Sequence, residues 1–216
     1  MIVYINDISI TLTAHKVFLC KRFDALFIAD LHLGKTASFS QLGVALPKES
    51  QLTTLDRFQN VLDTYRPKNC YILGDLFHNK LPKNNLIDDQ FQEFLDKNKT
   101  VNFYLTTGNH DSKHNDRIQK FSMQVKPFFE LGPFILSHKF SSLHPNKTQF
   151  IGHHHPGIKL QKRGFSKLTL PCFFMKKNLL ICPAFGDFTG LRLLSSNQAT
   201  KVVAILDGKR PQLYEL

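Results

Sequence analysis

The sequence predicts an α/β fold in which two sheets are stacked with helices outside. Across residues 25–106 short apolar runs alternate with stretches of helical spacing, in the order strand, helix, strand, helix, strand. That alternation favours parallel pairing through crossover helices. From residue 123 onward the pattern changes to strand-like runs at 134–136, 149–151, 168–174, 178–182 and 201–206 with few helical stretches between them, so the second half reads as largely antiparallel. At 216 residues the chain can bury one sizeable core and is short for two. Residues 1–216 are therefore expected to form a single domain.

Taken in order, residues 2–5, 8–12 and 16–20 read as short strands punctuated by Asn6-Asp7 and Ala14-His15, a meander that leads into the strand at 25–29. Residues 35–46 contain Gly43 and end before Pro47, and read as irregular or partly helical, a simple connection or a lid. Between 48 and 65, Leu52, Leu55, Phe58, Val61, Leu62 and Tyr65 recur at helical spacing and Pro67 closes the stretch. Between 84 and 98 the same spacing returns at Leu86, Ile87, Phe91, Phe94 and Leu95. Each apolar stripe needs a sheet to cover it. No internal repeat, low-complexity tract or linker interrupts the chain.

Composition bounds the setting. A hydrophobic fraction of 42% with 20 Phe and no Trp suits an aromatic-rich core and excludes extensive disorder. Cys20, Cys70, Cys172 and Cys182 form no Cys-x-x-Cys pair and lie mostly in apolar runs, so buried free thiols in a reducing compartment are expected. The first ten residues lack a basic start followed by an apolar block, unlike a signal peptide. No run approaches the ~20 apolar residues of a membrane span. The expectation is a cytoplasmic protein without membrane association. Lys and Arg outnumber Asp and Glu 28 to 17, a formal net charge of +11. Such an excess concentrates anionic partners near the surface, and it serves equally as scattered solubilising charge. Its densest segment, Lys159, Lys162, Arg163 and Lys167, lies just beyond a histidine cluster.

Five times a short apolar run ends in Asp, Asn or His. Residues 101–105 precede Thr106-Thr107-Gly108-Asn109-His110-Asp111, residues 25–29 precede Asp30-Leu31-His32, and residues 70–73 precede Gly74-Asp75. Residues 134–136 precede Ser137-His138, and residues 150–151 precede Gly152-His153-His154-His155. Alone, Gly-Asn-His-Asp reads equally well as a turn, since Gly, Asn and Asp are favoured there. Recurrence makes it a site, because ligands of α/β sheets collect at the carboxyl ends of strands. Carboxylates and imidazoles with an amide suit a divalent ion such as Mn²⁺, with Fe²⁺ or Zn²⁺ as alternatives, whereas a dedicated Ca²⁺ or Mg²⁺ cage would be nearly all oxygen.

Asp-x-His, Gly-Asp, Gly-Asn-His-Asp, a lone His and Gly-His-x-His, in that order over residues 30–155, resemble the calcineurin-like metallophosphoesterase superfamily. Four segments are more narrowly similar to the bacterial ligase-associated DNA damage response endonucleases. These are Asp30-Leu31-His32-Leu33-Gly34-Lys35, Gly74-Asp75-Leu76-Phe77-His78, Gly152-His153-His154-His155-Pro156 and Pro183-Ala184-Phe185-Gly186-Asp187-Phe188-Thr189-Gly190. One letter departs: Ser137 stands where many superfamily members have Gly before the fourth-motif His. The resemblance implies a four-layer α-β-β-α sandwich of two mixed sheets with flanking helices. It implies two divalent ions, one on Asp30, His32, Asp75 and His155 and the other on Asp75, Asn109, His138 and His153, with Asp75 bridging. It also implies nucleic acid, DNA foremost, as substrate, and a functional association with DNA ligase and helicase repair proteins. His154, between two ligands, is expected to point away.

Two ions can hold the attacking and leaving oxygens of an in-line displacement at phosphorus and acidify a water between them, which removes the need for a protein nucleophile. What remains is protonation of the leaving alkoxide by an imidazole that is not a ligand, and His110 fits. The resemblance gives His78 the task of positioning the phosphate or steadying His110, although a single histidine there also reads as a loop residue. Lys35 could contact a substrate phosphate or simply be solvated, and Lys159, Lys162, Arg163 and Lys167 are the candidates for a polymer backbone. His15, His114 and His144 lie outside the motifs and are expected to be solvated, and residues 183–190 to form a structural turn near the site. The leading reading is a metal-dependent phosphodiesterase or endonuclease acting on DNA during repair. A phosphatase or pyrophosphatase for a small nucleotide or a lipid precursor would use the same residues. A metal-free scaffold is disfavoured because no expected ligand is missing.

Overall fold

A computed structural model describes residues 1–35, 53–78, 86–160, 167–206 and 212–216. The chain opens with the expected meander, β1 (Ile2–Ile5), β2 (Ile8–Leu12) and β3 (Phe18–Cys20), which pairs antiparallel into β4 (Ala25–Ile28). Helix α1 (Thr54–Tyr65) carries the chain to β5 (Asn69–Ile72), and α2 (Leu86–Lys97) carries it to β6 (Asn102–Thr106). A single turn of helix, α3 (Asn115–Ile118), precedes β7 (Gln124–Lys126), and β4 to β7 pair parallel throughout. The start of α1 is set locally. The Thr53 hydroxyl accepts from Asp56 N while the Asp56 carboxylate accepts from Thr53 N, and together they satisfy two of the free N–H groups of the first turn.

The second sheet is built from β8 (Phe128–Leu131), β9 (Phe134–Ser137), β10 (Thr148–Ile151), β11 (Pro156–Leu160), β12 (Leu168–Lys176), β13 (Leu179–Ile181), β14 (Arg192–Leu193), β15 (Lys201–Leu206) and β16 (Gln212–Glu215). Its order is β14-β11-β12-β13-β10-β9-β8, with β15 pairing β12 and β16 pairing β15. The outer pairings are antiparallel, as expected, except at one edge, where β14 pairs parallel to β11. The centre departs from that expectation, because β9, β10 and β13 run parallel. Their connections among the described residues are loops and strands rather than helices, so the usual mark of parallel pairing is missing from the sequence.

Strand alternation divides the core into layers. Phe27 and Ala29 face the second sheet while Leu26 and Ile28 face the helices, and likewise Tyr71 and Leu73 oppose Cys70 and Ile72. Between the sheets Phe18 stacks on Phe27 at 4.4 Å and Phe134 on Phe150 at 4.4 Å. Both long helices of the described residues cover the first sheet with Phe58, Val61, Leu62, Phe91, Phe94 and Leu95. The outer face of the second sheet, with Ile158, Leu170, Cys172 and Phe174, packs against Leu194 and Ala199 around a 3-10 turn at Ser196–Gln198. The chain is thus mixed α/β, two mixed sheets with helices outside. All four cysteines are buried and free, and no described helix is long and apolar enough to cross a membrane.

Candidate metal centre

The parallel strands of both sheets end at one cleft. From the first sheet β4 delivers Asp30 and His32, β5 delivers Asp75 and β6 delivers Asn109 and His110. From the second, β9 delivers His138 and β10 delivers His153 and His155. Beyond the strand ends β4 and β5 keep their backbone ladder, with Asp30 N donating to Gly74 O at 3.2 Å and His32 N to Asp75 O at 2.9 Å. Five of these residues hold left-handed backbone: Asp30 (φ 54°), His32 (46°), Asp75 (51°), His153 (66°) and His155 (44°). L-residues adopt it at a cost of order 1–3 kcal/mol each. The cost is met where it turns side chains into the cleft.

Two triads of donors that include a carboxylate result. Asp30, His32 and His155 bring one ligand atom each within 4.8 Å of one another, and so do Asp75, His138 and His153. Asp75 lies between them, its Oδ2 3.9 Å from His32 Nε2 and 3.4 Å from His138 Nε2. His138 Nδ1 donates to Leu73 O at 3.0 Å, and that tautomer leaves Nε2 as a bare lone pair. This lone pair faces Asn109 Oδ1 at 3.0 Å as well as Asp75. His155 Nδ1 donates to Thr189 O at 3.0 Å in the same way, and its Nε2 meets His32 Nε2 at 3.3 Å. At His138 this meeting of a lone pair with amide and carboxylate oxygens is repulsive without a cation and attractive around one. This donor set therefore fits divalent ions.

Electrostatics point the same way. Burial pushes His32 down to about 3 and His153 down to about 4, so both rings are neutral donors near pH 7. Burial acts against His155 too, but the hydrogen bond and charge of Asp30 outweigh it and raise the ring, so a bound cation and a proton compete for the same Nε2. Asp30 is anchored by His153 N at 2.9 Å and Asp75 by His110 N at 2.9 Å.

Residues 23–189 match the calcineurin-like phosphoesterase family. The chain belongs to that family. It is therefore a metal-dependent phosphoesterase. Among solved structures this phosphoesterase is similar to the Pseudomonas putida nuclease MPE, with 25% identity and a TM-score of 0.81 over 100% of this chain and 99% of that one. The Yfce phosphoesterase from E. coli is more distant, at 13% identity and a TM-score of 0.43 over 83% of this chain and 86% of that one. No curated protein sequence matches.

In this calcineurin-like phosphoesterase the remaining candidates fall as follows. His110 stands at the cleft with Nε2 3.8 Å from Asp75 Oδ2 and its ring 5.0 Å from His32, and burial lowers its proton affinity. His78 stacks on His110 with ring centroids 6.1 Å apart. Lys35 is half-buried, its ammonium lowered by burial, and its charge reaches His32, His110 and His155. Lys159 and Lys167 lie exposed on the β11–β12 hairpin, and four residues of strand put Lys159 about 13 Å from His155 at ~3.3 Å per residue. Lys162 and Arg163 fall outside the described residues, as do 36–46 of the stretch read as a connection or lid. His154 turns to Arg192, whose Nη1 donates to His154 Nδ1 at 3.1 Å.

Two outlying histidines are not solvated as expected. His114 is half-buried with Nε2 3.1 Å from His78 O, and half-buried His144 packs its ring 4.9 Å from Phe128. Both have partners distant in sequence, which local pattern does not reveal.

Sequence reasoning passed over Asp111. It is fully buried, and its carboxylate accepts from Leu76 N at 2.9 Å, Phe77 N at 3.4 Å and Gly108 N at 2.9 Å, which ties the loops after β5 and β6 together. Burial pushes it up to about 6, against those three donors and with the Asp75 charge adding to the rise. The signal was present as the last letter of Gly-Asn-His-Asp. The 183–190 run is more than a turn. Phe185 N donates to Ala29 O at 2.9 Å and Gly186 N to Asp30 O at 3.0 Å, Arg57 Nη2 holds Phe185 O at 2.8 Å, and Thr189 O orients His155.

Proposed function

We propose that this phosphoesterase is a phosphodiesterase that cleaves nucleic acid, DNA foremost. In this reading two divalent ions, Mn²⁺ foremost, are held by Asp30, His32, Asp75 and His155 and by Asp75, Asn109, His138 and His153. The observation that carries it is the Asp75 carboxylate set between the two triads, 3.9 Å from His32 and 3.4 Å from His138. The likeness to the nuclease MPE over the whole chain supports the nucleic-acid substrate. A place in DNA repair beside a ligase and a helicase rests on the four motif segments alone.

When bound, such ions polarise the phosphoryl oxygens and supply the nucleophile at neutral pH. The chain's own residues do the rest. Leu73 O and Thr189 O fix the tautomers of His138 and His155, and Asp111 holds the two loops in register. His110, partly exposed at the cleft, presents Nε2 to protonate the leaving oxygen, with His78 stacked against it. Lys35 adds positive charge where a phosphate would enter.

Single-stranded DNA, a cyclic nucleotide and an aryl phosphodiester, each offered with Mn²⁺, test the reading. DNA cleavage is expected, along with up to two metal equivalents in protein purified without chelator. Asp75→Ala is expected to lose metal and activity together. Full metal content and turnover in that variant, or turnover of small esters with none of DNA, would overturn the proposal.

A further inference from the structure

A groove of about 590 Å³ opens beside Asn109 and His138, and apart from those two residues its lining has no part in the chemistry above. Phe128 at the start of β8 and the loop between β9 and β10 form its walls, and that loop contributes Lys139, Phe140 and Leu143. Phe128 is 41% exposed, Phe140 55% and Leu143 83%. Isolated exposed apolar side chains are ordinary, but three grouped along one groove at the edge of a polar centre mark a binding surface. Among the described residues the lining includes Lys139 and His144 and no Asp or Glu.

The surface is pre-arranged. Gln149, only 1% exposed, clamps the loop from beneath, its Nε2 donating to Ser141 O at 2.6 Å and its Oε1 accepting from Ser141 N at 2.9 Å. The Ser137 hydroxyl donates to Lys139 O at 2.8 Å, so the letter that departs from the superfamily pattern fixes the segment leading into Phe140. A loop held this way presents its rings without paying for order on binding.

We propose that this groove is a stacking subsite for an unpaired nucleobase next to the cleaved phosphodiester. Rings and an aliphatic wall match the face of a base, Lys139 matches its phosphate, the absence of acids avoids repulsion, and the groove meets the metal centre at Asn109 and His138. The subsite rests on the nucleic-acid reading of the preceding section. Stacking tolerates any base, so the subsite grips single strands without selecting sequence.

The test is a cycle between ring and base. A single-stranded oligonucleotide, and versions with an abasic site walked through the positions flanking the cleaved bond, are offered with Mn²⁺ to the wild-type protein, Phe140→Ala and Phe140→Trp. For the wild type one abasic position should raise KM on the order of 5- to 150-fold. Phe140→Ala should show that loss with intact DNA and no further loss at the abasic position, and Phe140→Trp should respond like the wild type. Circular dichroism checks that the variants, altered at an exposed side chain, keep the fold. Equal KM and an unchanged abasic profile in Phe140→Ala would overturn the subsite and leave the nuclease reading standing. No DNA cleavage by the wild type would overturn that reading and the subsite with it. A change in solution mass of Phe140→Ala with an unchanged abasic profile would make the patch a contact between copies of this chain.

Discussion

Gly74→Ala probes how tightly the cleft is built, and Gly190→Ala supplies its control. Both glycines have left-handed backbone, φ 80° at Gly74 and φ 68° at Gly190. A Cβ on Gly190 meets nothing within 4 Å, whereas a Cβ on Gly74 would lie 2.3 Å from His138 Nδ1 and 2.7 Å from its Cβ. His138 cannot step aside, because it is buried and its Nδ1 is bound to Leu73 O. Left-handed strain alone should cost Gly190→Ala about 1 kcal/mol. Gly74→Ala adds overpacking of ~1–3 kcal/mol, for a total of about 2–4 kcal/mol. At ~2–4 °C per kcal/mol for a chain of this size, the second variant should melt about 5–15 °C below the wild type and the first only a few degrees below. Urea and thermal unfolding in EDTA read both values free of metal. Equal losses in the two variants would show that His138 is not the rigid wall described, and the close packing of the β5 loop on β9 would have to be abandoned.

His110→Ala should keep its metal and lose ~10²- to 10⁴-fold in turnover, less with a highly acidic leaving group; equal losses for good and poor leaving groups would assign His110 another task. Asp111→Ala leaves three buried N–H groups without an acceptor, at ~1–3 kcal/mol each, so a loss of about 3 kcal/mol or more is expected in urea unfolding. Replacing Lys159, Lys162, Arg163 and Lys167 by Ser should flatten the salt dependence of DNA binding by about 0.7 in log–log slope for each phosphate that is no longer neutralised. An unchanged slope would make this segment surface charge.

Much of the fold is written in patterns that physics makes visible. Strands β4 and β5 are covered on both faces, so residues 25–28 and 70–72 read as unbroken apolar runs, and α1 and α2 announce themselves through stripes that must be buried. By contrast, β7, β14 and β16 are short and largely exposed, and Gln124-Val125-Lys126 or Arg192-Leu193 carries no apolar signal to read. The parallel centre of the second sheet was hidden because, among the described residues, β9, β10 and β13 are joined without crossover helices. In the site, the letters that bring side chains to the cleft stood out. The groups that orient them did not. Leu73 O, Thr189 O and the N–H groups bound by Asp111 are backbone atoms, and every residue type supplies them equally.

Asp30, His32, Asp75 and Asn109 come from one sheet and His138, His153 and His155 from the other, and this division has a consequence for how the molecule comes together. With the ligands proposed above, folding of either sheet by itself leaves both ion sites incomplete, so tight ion binding requires that the two have already docked across their aromatic seam. An ion that binds only the docked form acts as a fastener between the sheets, worth ~2.7 kcal/mol at a hundredfold excess over its Kd. Ion supply would then govern how long the assembled molecule survives heat or protease, apart from any catalysis. The contacts that close the site are also of long sequence range, from residue 30 to residue 155, and loop-closure entropy makes such contacts among the last to form. Competence to bind the ion would arrive at the end of folding, as the signal that the seam has shut.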